Sequence, residues 1–295
     1  MKKRVFWLVM LLLFGYIVIQ KIADGPPNIG GHTEALGEAT EVEHQSIQIT
    51  KDQIYQGDLL LVNKEYPVHE AGVKNDVVRL SENEELLQGY RLLDHRIEVS
   101  ESVAKEFLEM IKAAQQDNVS HFILNSGYRG KEEQDQLYAE MGPAYAMPSG
   151  YSEHNVGSAL DIGSTQMKME RAPEGKWLKD YSWKYGFILR YPKDKVAITG
   201  TEFEPWHFRY VGLPHSAIMK QNNFSLEEYL DYLKDERRIS VTNDGKIYEI
   251  NYYPVDQEMT LKVPIASNYE ISGDNMSGVI VTSYVNRKEG VNEYE

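Results

Sequence analysis

Three features of the sequence predict an α+β fold. Apolar residues recur at helical spacing in some segments and alternate in others. Helices and strands are mixed without regular βαβ alternation. After Glu236 the pattern changes to period two, which marks a run of strands separate from the main body. The chain has 295 residues, 42% of them hydrophobic, enough for one substantial core and a small second module.

The N-terminus stands apart. Lys2, Lys3 and Arg4 precede an apolar run from Val5 to Ile19, the charged-then-apolar order of a signal or anchor. As a helix that run covers about 22 Å, short of a hydrocarbon core of roughly 30 Å. Ile22 and Ala23 extend it, and Lys21 can snorkel. No small-x-small cleavage site follows, so residues 1–23 read as an uncleaved, single-pass signal-anchor at the cell membrane. Secretion after cleavage is the alternative. Either way the body of the chain is expected outside the cytoplasm. Residues 24–53, rich in Gly, Pro and acidic side chains, read as a flexible stalk, with order beginning near Ile54.

Residues 54–236 form the main body. Leu59–Val62 reads as a buried strand-like run. Ser100 opens a helix with Val103, Phe107, Leu108, Ile111 and Ala114 on one face. Residues 121–125 are a short buried strand; Ser126-Gly-Tyr-Arg-Gly130 turns the chain into a helix over 131–141, closed by Gly142. Further strands are expected at 159–162, 187–191 and 206–211, with Trp177, Tyr181 and Tyr185 at helical spacing between them. Ser225 and Glu228 form a capping box that starts an amphipathic helix. Residues 237–295 are the C-terminal β-extension. A hairpin turns on Asn243-Asp-Gly245, and strands follow at 261–265 and 279–285.

Composition narrows the function. A formal charge of −14 repels polyphosphate, so nucleic acid is excluded as a partner. The absence of cysteine rules out disulfides, thiolate metal sites and a lipidated cysteine.

The chemistry concentrates in three places. In Tyr151-Ser-Glu-His-Asn-Val-Gly-Ser-Ala-Leu-Asp-Ile-Gly163, His154 and Asp161 supply two of the three ligands that a catalytic zinc usually takes. Their spacing suits a loop carrying His154 that runs into a strand carrying Asp161. In Glu204-Pro-Trp-His207, the economical assignment makes His207 the third ligand and Glu204 the general base. Asp194 and Glu202 compete as base or ligand. Arg129 presents a planar fork that fits a carboxylate. Beside a zinc site that implies capture of a substrate's C-terminus, with Gln134 adding an amide contact. His32, His44, His69, His95 and His121 read as structural or surface residues, His215 as a helix start and rival ligand, and Trp206 as wall or core.

SGYR, S-x-H-x-x-G-x-A-x-D at Ser152–Asp161 and E-x-W-H at Glu204–His207, in this order, resemble the signature of the VanY-type zinc D-alanyl-D-alanine carboxypeptidases, a family that includes D,D-dipeptidases and L,D-carboxypeptidases. The resemblance implies a compact zinc-peptidase domain with a small antiparallel sheet and surrounding helices. It implies one zinc ion held by His154, Asp161 and His207, with Glu204 as catalytic base. Arg129 and Gln134 would hold the terminal carboxylate, and Ser152 would position substrate. The activity implied is removal of terminal D-Ala from peptidoglycan precursor peptides ending in D-Ala-D-Ala, outside the membrane, which removes the target of vancomycin. Alternatives are L,D-carboxypeptidase action on tetrapeptides, or a non-catalytic peptidoglycan-binding module with a structural zinc.

Overall fold

The computed structural model describes residues 44–142, 146–264 and 268–286. The anchor at 1–23 and the stalk as far as residue 43 lie outside the described residues. Among the described residues no helix is long and apolar enough to cross a membrane.

In chain order the strands are β1 (His44–Ile49), β2 (Val77–Arg79), β3 (Arg91–Leu92), β4 (Glu98–Ser100), β5 (Phe122–Ser126), β6 (Ala159–Ser164), β7 (Phe187–Leu189), β8 (His207–Tyr210), β9 (Arg238–Asn243), β10 (Lys246–Pro254), β11 (Met259–Pro264), β12 (Asn268–Gly273) and β13 (Gly278–Asn286). The helices are α1 (Glu101–Gln116), α2 (Lys131–Met141), α3 (Pro173–Tyr181), α4 (Val196–Thr199), α5 (His215–Asn222) and α6 (Leu226–Glu236). The mixture is α+β, as the irregular alternation of patterns implied.

The first half is built on a five-stranded sheet of order β3-β5-β6-β8-β7, antiparallel except for the β3–β5 pair. Side chains alternate across a strand. Leu160 and Ile162 of β6 and Phe208 of β8 therefore face one side, where they join Phe107, Met110 and Ile111 of α1 in the main core. Asp161, His207 and Arg209 are consequently delivered to the other side. Helix α1 starts where Ser100 Oγ accepts the Val103 N–H, the cap that the sequence implied.

The C-terminal half is a four-stranded antiparallel sheet of order β12-β13-β10-β9. Tyr248, Ile250, Tyr252 and Ile280 pack with Leu226, Tyr229, Leu230 and Leu233 of α6, so α6 supplies the face that the tyrosine-rich hairpin needs. Leu59 and Leu61 enter this core, while Leu60 and Val62 pack with Val156 in a separate cluster. The segment alternates like a strand but has no ladder partner; Leu59 N–H donates to Ser272 Oγ and Leu61 N–H to the Asp274 carbonyl.

One boundary is corrected. The stalk was expected to run to residue 53, but residues 44–49 form β1, paired antiparallel with β11. Ile47 and Ile49 are spaced to share one face, and that face closes a small core with Ile54, Val263, Val279 and Val281. Two isoleucines in an otherwise polar stretch were too weak a pattern to announce a strand. Strand β12 was likewise unforeseen; its exposed Asn268, Tyr269 and Glu270 carry little apolar signal.

Candidate active site

Asp161 and His207 are direct cross-strand partners in the β6–β8 ladder. Their facing side chains therefore converge without any loop to place them. The third group arrives on a single 3₁₀ turn, Glu153–Asn155, whose N-cap is Ser152; its Oγ accepts the His154 N–H. The turn is laced to the Arg129 loop. Arg129 N–H donates to the His154 carbonyl at 3.1 Å, and Asn155 Nδ2 donates to the Arg129 carbonyl at 2.8 Å. Gly127 lies against Glu98, where a Cβ would run into the Glu98 carbonyl oxygen. Only glycine lets the chain come that close.

The result is one cluster. One donor atom each from His154, Asp161 and His207 lie within 4.8 Å of one another, the His-Asp-His set that the sequence predicted. His154 Nε2 stands 3.2 Å from Asp161 Oδ2, and His207 Nδ1 stands 3.2 Å from Asp161 Oδ1. The far side of each ring is occupied. His154 Nδ1 is 2.6 Å from the Gly127 carbonyl, which can only accept, so the proton sits on Nδ1 and the Nε2 lone pair faces the cluster. His207 Nε2 is 3.2 Å from Glu153 Oε2, which leaves Nδ1 for the cluster. Two imidazole nitrogens and a carboxylate oxygen, each oriented from behind, match the donor set of an open tetrahedral zinc site. Asp161 and Glu204 side chains are 19% and 28% exposed, His154 and His207 only 2% and 7%, so the cluster opens to solvent on its carboxylate side.

Glu204 sits on the turn entering β8, where the His207 N–H donates to the Glu204 carbonyl. Its Oε2 is 3.7 Å from His207 Nδ1. Burial raises the Glu204 carboxyl above the ordinary range; Asp161 and Glu153 add to this, and His207 and Arg129 oppose it. A carboxylate made more basic beside a metal position suits a proton acceptor. Burial would also raise Asp161, but the two imidazoles hold it well below the usual carboxylate range. Burial would depress His207; without an ion, the hydrogen bonds to Asp161 and Glu153 push it up to about 9. An ion would displace that second proton.

The remaining candidates divide. Arg129 lies in the field of Asp161 and Glu204, and its Nε has no hydrogen-bond partner among the described residues. Gln134 is 1% exposed and its Nε2 donates to the Met147 carbonyl at 2.6 Å, so it braces the loop beside the site, while its Oε1 has no partner among the described residues. Ser152 serves as the cap described above. Of the rivals, Asp194 accepts from Asn223, and Glu202 is exposed with no hydrogen bond or ion pair to the cluster. His215 is buried between Tyr229 OH at 2.7 Å and Thr282 Oγ1 at 3.1 Å, so it is no fourth ligand. Trp206 is 41% exposed, a wall residue and not core.

Sequence reasoning missed the support behind the cluster. Glu153, Arg190 and Arg209 are almost wholly buried. Arg190 and Arg209 contact Glu153 Oε1 at 2.8 and 2.9 Å, and Arg190 makes a second, two-pronged pair with Glu227 of α6 at 2.6 and 2.9 Å. The available signal was an arginine inside each of two apolar strands, Phe187-Ile-Leu-Arg190 and His207-Phe-Arg209, since buried arginine requires a partner.

A family model described as VanY, D-alanyl-D-alanine carboxypeptidase, matches residues 96–213, the span that carries Arg129, Gln134, Glu153, His154, Asp161, Glu204 and His207. The D-alanyl-D-alanine carboxypeptidase of Enterococcus faecium is 51% identical over 294 residues, 96% of each chain. The chain belongs to the VanY family of D-alanyl-D-alanine carboxypeptidases. Within the VanY group of folds, it superposes on the vancomycin-resistance D,D-dipeptidase VanXYg, solved with a D-Ala-D-Ala phosphinate analog. The TM-score is 0.73 and the identity 32%, over 82% of this chain and all of that one. VanYB in complex with D-alanine-D-alanine gives a TM-score of 0.50 at 28% identity, over 59% of this chain and 97% of that one.

Proposed function

We propose that this VanY-family carboxypeptidase is a zinc-dependent D,D-carboxypeptidase. It removes the terminal D-Ala from peptidoglycan precursor pentapeptides at the outer face of the membrane, held there by residues 1–23, and so lowers the amount of vancomycin target. The observation that carries the reading is the convergence of His154, Asp161 and His207 within 4.8 Å, open to solvent beside a carboxylate raised above its ordinary range.

Zinc bound there would lower the pKa of water to about 7 and polarise the scissile carbonyl. The chain's own residues supply the rest. Arg129, whose Nε has no partner among the described residues, binds the substrate's C-terminal carboxylate and fixes the peptide's direction. Glu204 accepts a proton from the attacking water and returns it to the leaving nitrogen of D-Ala. Gln134, whose Oε1 has no partner among the described residues, offers that atom to a donor on the substrate while its Nε2 braces Met147. Trp206 forms the exposed wall. A structural-zinc reading would need a fourth protein ligand, and the rival for that place, His215, is taken up by Tyr229 and Thr282.

The test is D-Ala release from a pentapeptide ending in D-Ala-D-Ala, run beside a tetrapeptide, with and without chelator, in the presence of penicillin. Chelator-sensitive, penicillin-resistant release from the pentapeptide is expected. Release from the tetrapeptide alone would replace the D,D assignment with L,D, and binding without release would replace the enzyme with a binding module.

A further inference from the structure

We propose that Glu153 is the positioning residue that decides which nitrogen of His207 meets the metal, and that its arginine clamp ties this setting to helix α6. The inference rests on the metal-centre reading above. It concerns a residue that lies behind the centre and outside the donor set.

The geometry separates Glu153 from the ligands. Asp161 lies at the Nδ1 edge of the His207 ring and Glu153 at the Nε2 edge, each 3.2 Å away. An ion at Nδ1 therefore faces away from Glu153. Nor are the Glu153 oxygens free to turn toward it: Oε2 is engaged by His207, and Oε1 by Arg190 and Arg209. All four side chains are nearly fully buried, so no water competes for these contacts. An ionised carboxylate is an obligate acceptor. With two guanidinium groups on Oε1, Oε2 is left as the acceptor that faces the ring, and His207 carries its proton on Nε2.

Two buried arginines on one carboxylate are more than charge balance requires, and the surplus is used. Arg190 turns its other edge to both oxygens of Glu227 on α6. A chain of contacts thus runs from His207 through Glu153 and Arg190 to Glu227, and α6 is packed on the C-terminal sheet. The C-terminal half thereby braces the orientation of a ligand whose ring would otherwise be free to flip and present Nε2.

The experiment uses the full-length chain with 15N-labelled histidine. Ring 15N–1H spectra of the zinc-loaded wild type should show His207 protonated at Nε2 and metal-bound at Nδ1. Chelator competition should show zinc affinity falling about 10–100-fold in Glu153→Ala, the usual cost of losing such a partner. Glu153→Gln has one oxygen, which the arginines claim, so its amide N–H faces His207 Nε2; it should lose zinc affinity like Glu153→Ala and move the His207 proton, while Glu227→Gln should lose less. A Glu153→Ala protein that melts earlier but keeps wild-type zinc affinity and the same His207 tautomer would reduce Glu153 to a purely structural neutraliser. If Glu153→Ala fails to fold, the wild-type spectrum decides alone: a proton on Nδ1 overturns the proposal. Wild type that takes up no zinc sinks the metal reading itself, whereas zinc uptake with the proton on Nδ1 sinks only the role of Glu153.

Discussion

Buried histidines occur in both halves of the molecule, and they differ in what their partners leave unspent. His215, between α6 and the C-terminal sheet, meets Tyr229 OH on one nitrogen and Thr282 Oγ1 on the other. Both partners are neutral and both ring nitrogens are consumed, so burial alone sets its behaviour and pushes its pKa down to about 3. In the catalytic half, His154 and His207 each spend one nitrogen on a fixed acceptor and aim the other at Asp161. A buried histidine becomes a ligand when its neighbours satisfy one edge and leave the other facing a carboxylate that solvent can reach.

That contrast can be broken at several points. The largest effect is expected from Asp161→Ala, which leaves two imidazoles with no anion between them. Metal analysis should find no stoichiometric zinc, and pentapeptide hydrolysis should fall to background, as it should in chelated wild type. Glu204→Ala should keep zinc bound yet lower kcat/KM by about 10²–10⁴-fold, the range for a general base; retained turnover would remove Glu204 from that role. Arg129→Lys keeps the charge but loses the fork. A lost charge-assisted hydrogen bond costs about 1.5–3 kcal/mol, so kcat/KM should drop about 10–100-fold, with amidated C-termini insensitive to the change.

The smallest effect belongs to the other half and should leave catalysis alone. The unfolded chain protonates His215 near the ordinary value of about 6.5, whereas the folded protein resists until about 3. Between these values the unfolded state binds the extra proton. The stability His215 contributes is therefore complete above about 6.5 and declines as pH falls toward 3, by about 1.4 kcal/mol per pH unit for one group. His215→Leu should flatten this part of the urea-denaturation profile and leave zinc affinity within twofold of wild type. A change in zinc affinity would mean that the two kinds of histidine are not separate after all.

The legible parts of the fold were those with strong local chemistry. Ser100 and Ser225 cap α1 and α6 as their spacing indicated. The Asn243-Asp-Gly245 signal gave a two-residue hairpin in which Asn243 pairs with Lys246 and Asp244 and Gly245 take positive φ. β1 and β12 escaped because their apolar patterns are short; β1 gains its stability from β11, far away in sequence, and β12 from the edge of the adjacent strand β13. Glu153 escaped for a different reason. Beside His154 it reads as one more polar loop residue, and only burial against Arg190 and Arg209 gives it a purpose.

What the sequence by itself determined was the identity of the chemical groups and their order: a histidine and an aspartate bounding one loop and strand, a glutamate and a histidine on one turn, an arginine after another strand. Local propensity and residue chemistry act over a few positions, and such information survives in a single chain. The tertiary structure decided which atoms face each other. The β6–β8 register sets Asp161 against His207, the Gly127 carbonyl and the Glu153 carboxylate choose the nitrogens, and α6 closes the network from behind. Those choices are made by groups distant along the chain, through burial that leaves each polar atom one partner, and no local pattern encodes that.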